Sequence, residues 1–431
     1  MQKNKKNLNI SVHGLHQGGK STICGHLLLQ LGIFSEDDFG VLEGDADDLG
    51  HGGYEYAWIT NTSKTERELD LTLYTHLCYI TQKDCKLCLF DTPGYNKYLK
   101  DTVKYAAISD VHMIVVDPTV LNTSLDTCKD LQEYLKWNLI YEPHSTIVVV
   151  NKMDCKEISW DEKKFHQIKE KIIQFANLYG LDYTKVPFVP VSGYLGDNLI
   201  QKGKHLNWYN GPTLFEALKQ IPKIDRPLED PLMICVLRKY PVSSEDVVCD
   251  AIVLRGTLKK GVRVCVLPSR LISLVKSLQI QQQDVEYAGA GDVIGMVISD
   301  SVKYYLERGS IIVDLSEENL KVCKQFVANI CILDLNRPLK PSNCPCVYFP
   351  FSRIVCQITQ MVSKFNKKTG EILQDNPPFL VPGDNCKVVF TPKSELTALP
   401  FEESKFLGKF IIRHEGKTYG YGTITEVQDL N

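Results

Sequence analysis

The residues best suited to chemistry in this 431-residue chain lie in short groups, each directly after an apolar run. The first is Gly14-Leu15-His16-Gln17-Gly18-Gly19-Lys20-Ser21-Thr22, which fits the phosphate-binding pattern G-x-x-x-x-G-K-[ST]. Gly18 and Gly19 let backbone N–H groups turn inward around phosphate oxygens. Lys20 reaches the β- and γ-phosphates, and the Ser21 hydroxyl takes one Mg²⁺ position. The second group is Asp91-Thr92-Pro93-Gly94. Asp91 is suited to hold Mg²⁺ through water, and Gly94 brings its N–H against a γ-phosphate. The third is Asn151-Lys152-Met153-Asp154. The Asp154 carboxylate accepts from guanine N1–H and N2–H₂, a donor pair that adenine lacks, so an adenine would leave the buried acceptor unpaired. Asn151 ties the base loop to the phosphate loop, and the Lys152 stem covers the base face. A fourth group, Ser192-Gly193, is placed to contact the base. Singly, a glycine turn or an Asp-Pro-Gly turn explains each of the first two. Four in order at workable spacings do not arise by coincidence, and they specify a guanine-nucleotide site.

Such a site needs strands that end at the ligand and helices that begin there. Leu8–Val12 alternates like a strand before the phosphate loop, and Ile23, Leu27, Leu28 and Leu31 follow at helical spacing. Apolar strands are expected at 86–90, 111–117, 146–150 and 188–191, with helices through about 107 and over about 124–138, 161–179 and 212–221. Every candidate residue then sits at a strand's C-terminal end, the arrangement of a doubly wound, mostly parallel sheet. Residues 35–64 are acidic and lack clear periodicity, as a functional or mobile segment would. Pro222–Pro231 reads as a linker. Beyond it, β-branched segments at 247–254, 262–267, 274–279, 293–298 and 310–313, punctuated by glycines, predict an antiparallel barrel. A similar set runs from 326 to 427, with a hairpin around Lys368-Thr369-Gly370-Glu371. The expected fold class is therefore α/β, a P-loop GTP-binding domain at 1–224 followed by two antiparallel β-barrel domains at 228–319 and 320–431.

Composition removes several other classes. Hydrophobic residues make up 44% and charged residues 23%, with no apolar run near the ~20 residues of a membrane span. Fifteen scattered cysteines fit reduced thiols in a cytosolic protein. Cys85-x-x-Cys88 falls inside an expected strand, where that spacing puts the side chains on opposite faces, which argues against zinc. A net charge of −3 gives no global pull toward nucleic acid, so any RNA contact must come from local patches such as Lys364–Lys368.

Over nearly its whole length the chain resembles translational GTPases of the elongation-factor-1-alpha family. The resemblance is carried by Gly14–Thr22 with Cys24-Gly25-His26-Leu27, by Tyr56-Ala57-Trp58 with Thr65-Glu66-Arg67-Glu68, and by Asp91–Gly94 and Asn151–Asp154. It continues in Val189-Pro190-Val191-Ser192-Gly193-Tyr194, Gly196-Asp197-Asn198, Trp208-Tyr209, Leu407–Phe410 and Arg413–Thr418. It implies GTP/GDP and Mg²⁺ as cofactors, with Gly14, Gln17, Gly18, Gly19, Lys20, Ser21, Thr22, Asp91, Gly94, Asn151, Lys152, Asp154, Ser192, Gly193 and Tyr194 at the nucleotide. It also places Thr72, with Ser21 and Asp91, at the metal, and Lys20, Gly94 and Tyr95 at the hydrolytic step. Several positions depart from the family. Leu69-Asp70-Leu71-Thr72 stands for Arg-Gly-Ile-Thr, Gln17 replaces an Asp, and Tyr95 occupies the place of the histidine that orients the attacking water.

These departures point away from the housekeeping carrier of aminoacyl-tRNA and toward its sister branches, the partner GTPases of the release factor and of Pelota. The expectation is a cytoplasmic, monomeric GTPase, with no membrane role, that delivers a tRNA-like protein ligand to the ribosomal A site in rescue or termination. Its hydrolysis is expected to be slow because of Tyr95. The alternatives are an elongation-factor-type carrier of aminoacyl-tRNA and a GTP-binding adaptor that has lost hydrolysis.

Overall fold

Strand β1 (Lys6–Gly14) runs through the middle of a six-stranded sheet and delivers the chain to the phosphate loop. The computed structural model describes residues 5–95, 98–121, 125–240, 246–316, 322–335, 337–350, 352–414 and 417–429. They form two units, 1–224 and 225–431.

In the first unit, β1 is followed by α1 (Lys20–Gln30), α2 (Glu36–Asp48), α3 (Glu55–Trp58) and α4 (Lys64–Leu69). Then come β2 (His76–Thr81), β3 (Cys85–Asp91), α5 (Leu99–Ile108), β4 (Val111–Val116), α6 (Pro118–Leu121), α7 (Leu125–Tyr141) and β5 (Ser145–Val150). α8 (Glu162–Leu178), β6 (Phe188–Pro190) and α9 (Leu214–Gln220) complete it. The sheet order is β2-β3-β1-β4-β5-β6. Only the β2–β3 pair is antiparallel, and β1 is flanked in parallel by β3 and β4. β1, β4 and β5 are buried along most of their length because helices cover both faces, which explains their near-continuous apolar composition.

The acidic segment after α1, expected to be functional or mobile, is largely helical, and Gly53, Tyr54, Ala57 and Asn61 within it line the cavity described below. Ser35 caps α2 by accepting from Asp38 N at 3.1 Å, and Glu36, Asp37 and Asp38 occupy its first turn, where negative charge complements the helix dipole. Only Phe39 and Ala46 of α2 are buried, so its apolar stripe is too thin to register as a period. Tyr56 of α3 stacks on His26 of α1, with ring centroids 4.1 Å apart, and anchors the segment.

Strand β2 begins only at His76, although Leu71 and Leu73 before it are apolar. The Leu73 and Tyr74 N–H groups donate to Glu66 Oε1, at 2.9 and 3.2 Å, rather than to a neighbouring strand. Glu66 is fully buried, yet it also accepts from Ser63 Oγ and pairs with His76 Nε2 at 2.9 Å. Burial works against its charge, but His76 and the two backbone donors outweigh it and hold the carboxyl below its ordinary range.

The second unit contains two closed antiparallel barrels of six strands each. In the first, strands 263–267, 311–313, 233–240, 247–255, 293–298 and 271–280 pair in that order, and 263–267 pairs back onto 271–280. The strand Met233–Tyr240 was not expected. Its first five residues are all buried, so it shows no alternation. In the second barrel, strands 346–348, 409–414, 417–429, 323–332, 385–392 and 353–365 close through 346–348 and 353–365. Each barrel has its own apolar core. The hairpin at 368–371 is present, joining 353–365 to 372–375. The lysine patch there is partly engaged within the barrel: Lys364 pairs with Asp384 at 2.8 Å, and Lys367 donates to the Tyr421 hydroxyl at 2.8 Å. The expected boundary at 319/320 and residues 415–416 of the Arg413–Thr418 stretch lie outside the described residues.

Behind the phosphate loop lies a buried aromatic cluster. His13 has no exposed surface and packs against His112, Tyr134 and Trp137, with its Nε2 bonded to Ser11 Oγ at 2.7 Å. Burial, with His112 and Lys20 nearby, lowers its pKa well below the ordinary histidine value. His112 is also lowered by burial, against the opposing hydrogen bonds to Ala106 O and Asn138. The unfolded chain therefore binds protons that these buried rings do not, and stability falls as pH drops below ~6.5, the value of a free histidine. Urea titrations of the full chain between pH 7.5 and 5.5 should show this loss. His13→Gln should reduce the slope by about one proton; an unchanged slope would show that His13 does not carry it.

Candidate guanine-nucleotide site

The chain ends of β1, β3, β5 and β6 converge on a cavity of about 420 Å³. Its lining comes from the loop and helix after β1, from Gly94 after β3, from Asn151–Cys155 after β5 and from Gly193 and Tyr194 after β6. The α3–β2 segment adds Asn61, Asp70 and Thr72.

On the phosphate side, Lys20 is 5% exposed and donates through Nζ to Leu15 O at 2.8 Å, which holds the ammonium across the loop. Burial pushes its pKa down to about 8, partly offset by Asp91 and Cys24. A buried cation without a close carboxylate partner strongly favours an anion beside it. Gly94 passes directly over this lysine. A Cβ there would lie 2.2 Å from Lys20 Nζ and 2.8 Å from His16 N, so no larger residue fits. Ser21 Oγ and Thr72 Oγ1 are 2.9 Å apart, bringing together two hydroxyls separated by 51 positions in the sequence. Thr72 also donates to Asn61 Oδ1 at 3.3 Å. Asp91 is fully buried behind them and accepts from Thr60 Oγ1 at 2.9 Å through Oδ2. Its Oδ1 has no partner among the described residues. Burial raises the Asp91 pKa, opposed by His76, Ser21, Lys20 and Thr60. Two convergent hydroxyls and an orphaned carboxylate oxygen form a donor set suited to a hard divalent cation.

On the base side, Asn151 is 2% exposed and works in both directions. Its Nδ2 donates to Gly18 O at 2.9 Å, and its Oδ1 accepts from Gly193 N at 2.8 Å. A Cβ on Gly19 would fall 2.2 Å from Asn151 Nδ2, so this close approach requires glycine. Lys152 is held by Asp117, Nζ to Oδ2 at 2.7 Å, and Asp117 is itself fixed by Thr119. This orients the lysine stem along the cavity wall beside Asp154. Ser192 is buried and accepts from Leu195 N at 3.0 Å, which shapes the turn carrying Gly193 and Tyr194.

Of the residues expected from sequence, Gln17, Gly19, Lys20, Ser21, Thr22, Thr72, Gly94, Asn151, Lys152, Asp154, Gly193 and Tyr194 line the cavity together. Gly14, Gly18, Asp91 and Ser192 stand just behind the lining. Gly18 takes part through its carbonyl, while Asp91 and Ser192 are wholly buried. Tyr95 is outside the lining and 47% exposed, its ring edge-on to His16 with centroids 5.8 Å apart. Sequence reasoning missed His16, Gly53, Tyr54, Ala57, Asn61, Asp70 and Cys155 as lining residues. Asp70 is held by His51 at 2.8 Å, and no local pattern announces that pair. His16 was legible as a side chain inside the phosphate-loop pattern, where the expected roles fall on the glycines, Gln17, Lys20, Ser21 and Thr22.

Comparison with known proteins agrees with this geometry. Residues 5–232 match the family model for the elongation factor Tu GTP binding domain, and residues 325–425 match the GTP-eEF1A C-terminal domain-like family. The elongation factor 1-alpha of Desulfurococcus mucosus is 30% identical over 426 residues, covering 98% of this chain and 97% of that protein. That of Ignicoccus hospitalis is 31% identical over 432 residues, covering 99% and 97%. Among solved structures, the GTP-bound Ski7 GTPase-like domain of S. cerevisiae superposes with a TM-score of 0.83 at 20% identity, covering 98% of each chain. The elongation factor SelB of Methanococcus maripaludis, with a GTP analogue, gives 0.69 at 19% identity, covering 99% of this chain and 80% of that one. These two likenesses concern the fold.

Asn151→Ala removes both ends of the bridge and leaves Gly18 C=O and Gly193 N–H without their partner. Each loss costs about 1–3 kcal/mol. GDP affinity, read by fluorescence titration, should fall ~10²-fold or more at those costs, and an affinity within a factor of three of wild type would contradict the bridging role.

Proposed function

This chain belongs to the elongation factor Tu and elongation factor 1-alpha family of translational GTPases, and from that premise we propose that it delivers a tRNA-like protein ligand to the ribosomal A site during ribosome rescue or termination. GTP and GDP are its nucleotides, and GTP hydrolysis is its reaction class. The observation that carries the finer reading is Tyr95. It follows Gly94 directly, points its ring at His16 and leaves no imidazole at that position. A phenol there can hold a water but cannot share positive charge with the transition state as an imidazolium can. Hydrolysis is accordingly slow, and the GTP state outlasts an elongation cycle, which suits a factor that waits on stalled ribosomes.

Mg²⁺ fits Ser21, Thr72 and Asp91, and when bound it neutralises charge on the β- and γ-phosphate oxygens. The chain's own contribution is positional: Lys20 and the Gly94 N–H face the terminal phosphates, and Asn151, Lys152 and Asp154 frame the base. The three-domain division at 1–224, 228–319 and 320–431, a monomeric state and a cytoplasmic location belong to the same proposal. No helix among the described residues is long and apolar enough to cross a membrane. The alternative, a carrier of aminoacyl-tRNA, is favoured by the 30–31% identity with proteins named elongation factor 1-alpha.

Filter binding separates the two readings. Retention of a Pelota-like or release-factor-like protein in the GTP state, without retention of charged tRNA, is the expected result, and tight GTP-dependent retention of charged tRNA would favour the carrier. Asp154→Asn should shift preference from guanosine to xanthosine nucleotides by ~10–100-fold, since one buried mismatch costs about 1–3 kcal/mol. Unchanged guanosine preference in calorimetry would remove Asp154 from base recognition. In single-turnover hydrolysis with saturating ribosomes and partner, Tyr95→His should raise the rate ~10²-fold, the lower range for a positioned acid–base group. Equal rates would show that Tyr95 is not limiting.

A further inference from the structure

The cavity does contain an imidazole, but it comes from the phosphate loop. His16 lines the cavity together with Gly94 and Lys20, and it is the one histidine among the described lining residues. Two contacts place its backbone on the phosphate side. A Cβ built on Gly94 would meet Lys20 Nζ, His16 N and Leu15 O, so the Gly94 backbone covers this stretch of the loop. The base-loop side chain Asn151 instead meets the loop at Gly18 and Gly19. His16 is an exposed residue, as a group that receives a water must be, yet its ring has a defined neighbour. Tyr95 approaches with its ring plane at 81° to the imidazole, an edge-to-face geometry that fixes ring orientation. Tyr98 lies 6.1 Å beyond Tyr95, extending the aromatic row along the same segment.

We propose that His16 is the catalytic imidazole of this GTPase, holding the attacking water against the γ-phosphate, with Tyr95 as the residue that positions its ring. This deepens the reading of the site as a GTP-hydrolysing one and rests on it. In the reaction, the water oxygen forms a bond to Pγ. The bond from Pγ to the β–γ bridging oxygen breaks with its electron pair retained by GDP, and the water's proton ends on the inorganic phosphate. A neutral His16 accepts a hydrogen bond from that water and undergoes no net protonation.

The groups around it favour that neutral form. Lys20 faces it from its own loop and Tyr95 from the opposite segment, while Asp70, Lys152 and Asp154 line the same cavity. Burial, followed by the Lys20 charge, lowers the His16 pKa below the ordinary histidine value. The ring is therefore neutral at physiological pH, and activity falls only as pH drops through its lowered pKa.

The test is single-turnover GTP hydrolysis by the full chain from pH 5 to 8, with binding of a fluorescent GTP analogue measured on the same samples. His16→Ala should slow hydrolysis ~10²-fold or more, as loss of a positioned acid–base group does, while GTP-analogue affinity changes by less than about threefold. His16→Gln, whose amide also holds a water, should keep part of the rate and lose the acid inflection. Tyr95→Ala should reduce the rate and move that inflection toward the ordinary histidine value. The double variant His16→Ala/Tyr95→His, which moves the imidazole across the gap, should recover activity; a merely structural His16 would not be rescued in this way. A His16→Ala rate equal to or faster than wild type would overturn the proposal, as would a wild type that binds GTP without hydrolysing it. Failure of wild type to bind the analogue at all would instead bring down the underlying GTP reading.

Discussion

The site depends first on one amide. Asn151 donates to Gly18 O and accepts from Gly193 N, so three loops from β1, β5 and β6 share a single rigid planar group. The bridge is dry, since Asn151 is almost fully buried, and an amide has the donor and acceptor that two backbone groups of opposite kind require. A carboxylate would lack the donor and an aliphatic residue both. The parallel sheet brings the loop bases to one edge of the fold, and this bridge, with the His26–Gly193 hydrogen bond at 2.8 Å, ties the loops there to one another.

The opposite wall is organised by a charge. Glu66 takes hydrogen bonds from Ser63, Leu73, Tyr74 and His76 within the interior, which turns a short helix cap into an anchor for the chain leading to Thr72. Burying a carboxylate is costly unless its oxygens are fully satisfied, and here they are. The segment 63–76 thereby becomes a tethered loop. Thr72, between its two anchored ends, is held within hydrogen-bond distance of Ser21.

The contiguous motifs were legible because their chemistry is local: Gly14–Thr22, Asp91–Gly94 and Asn151–Asp154 each function as one turn at one strand end. The sheet was legible for a related reason, since buried parallel strands are continuous apolar runs. What sequence could not reveal is assembled across distance. Asn61, just after α3, and Asp70, the cap that ends α4, enter the lining through partners distant in sequence, Thr72 and His51. The late start of β2 depends on Glu66 drawing off two backbone donors, which an apolar run cannot signal. Lys364 and Lys367 read as a free basic patch, but folding supplies Asp384 and Tyr421 from distant strands. Met233–Tyr240 was missed for the opposite reason: burial on both faces erased the alternation that marks a strand.

Closure of the two barrels has a consequence for how a partner could be held. Six strands that pair around a full circuit leave no ladder edge with free N–H and C=O groups, so annexing an extended peptide as a seventh strand is not open to the barrel walls. Among the described residues, the longer pieces standing outside a closed circuit are the hairpin arm Ile372–Asp375 and the small pair Thr257–Lys259 with Tyr287–Gly289. The arm carries Ile372 and Leu373 in the open, 61% and 64% exposed. A ligand of the barrels is therefore read by side chains and loop tips, or stitched in register along one of those outlying pieces, the arm above all. The first mode tolerates drift in backbone detail while keeping surface chemistry; the second demands an unbroken extended partner of about four residues, the length of the arm itself.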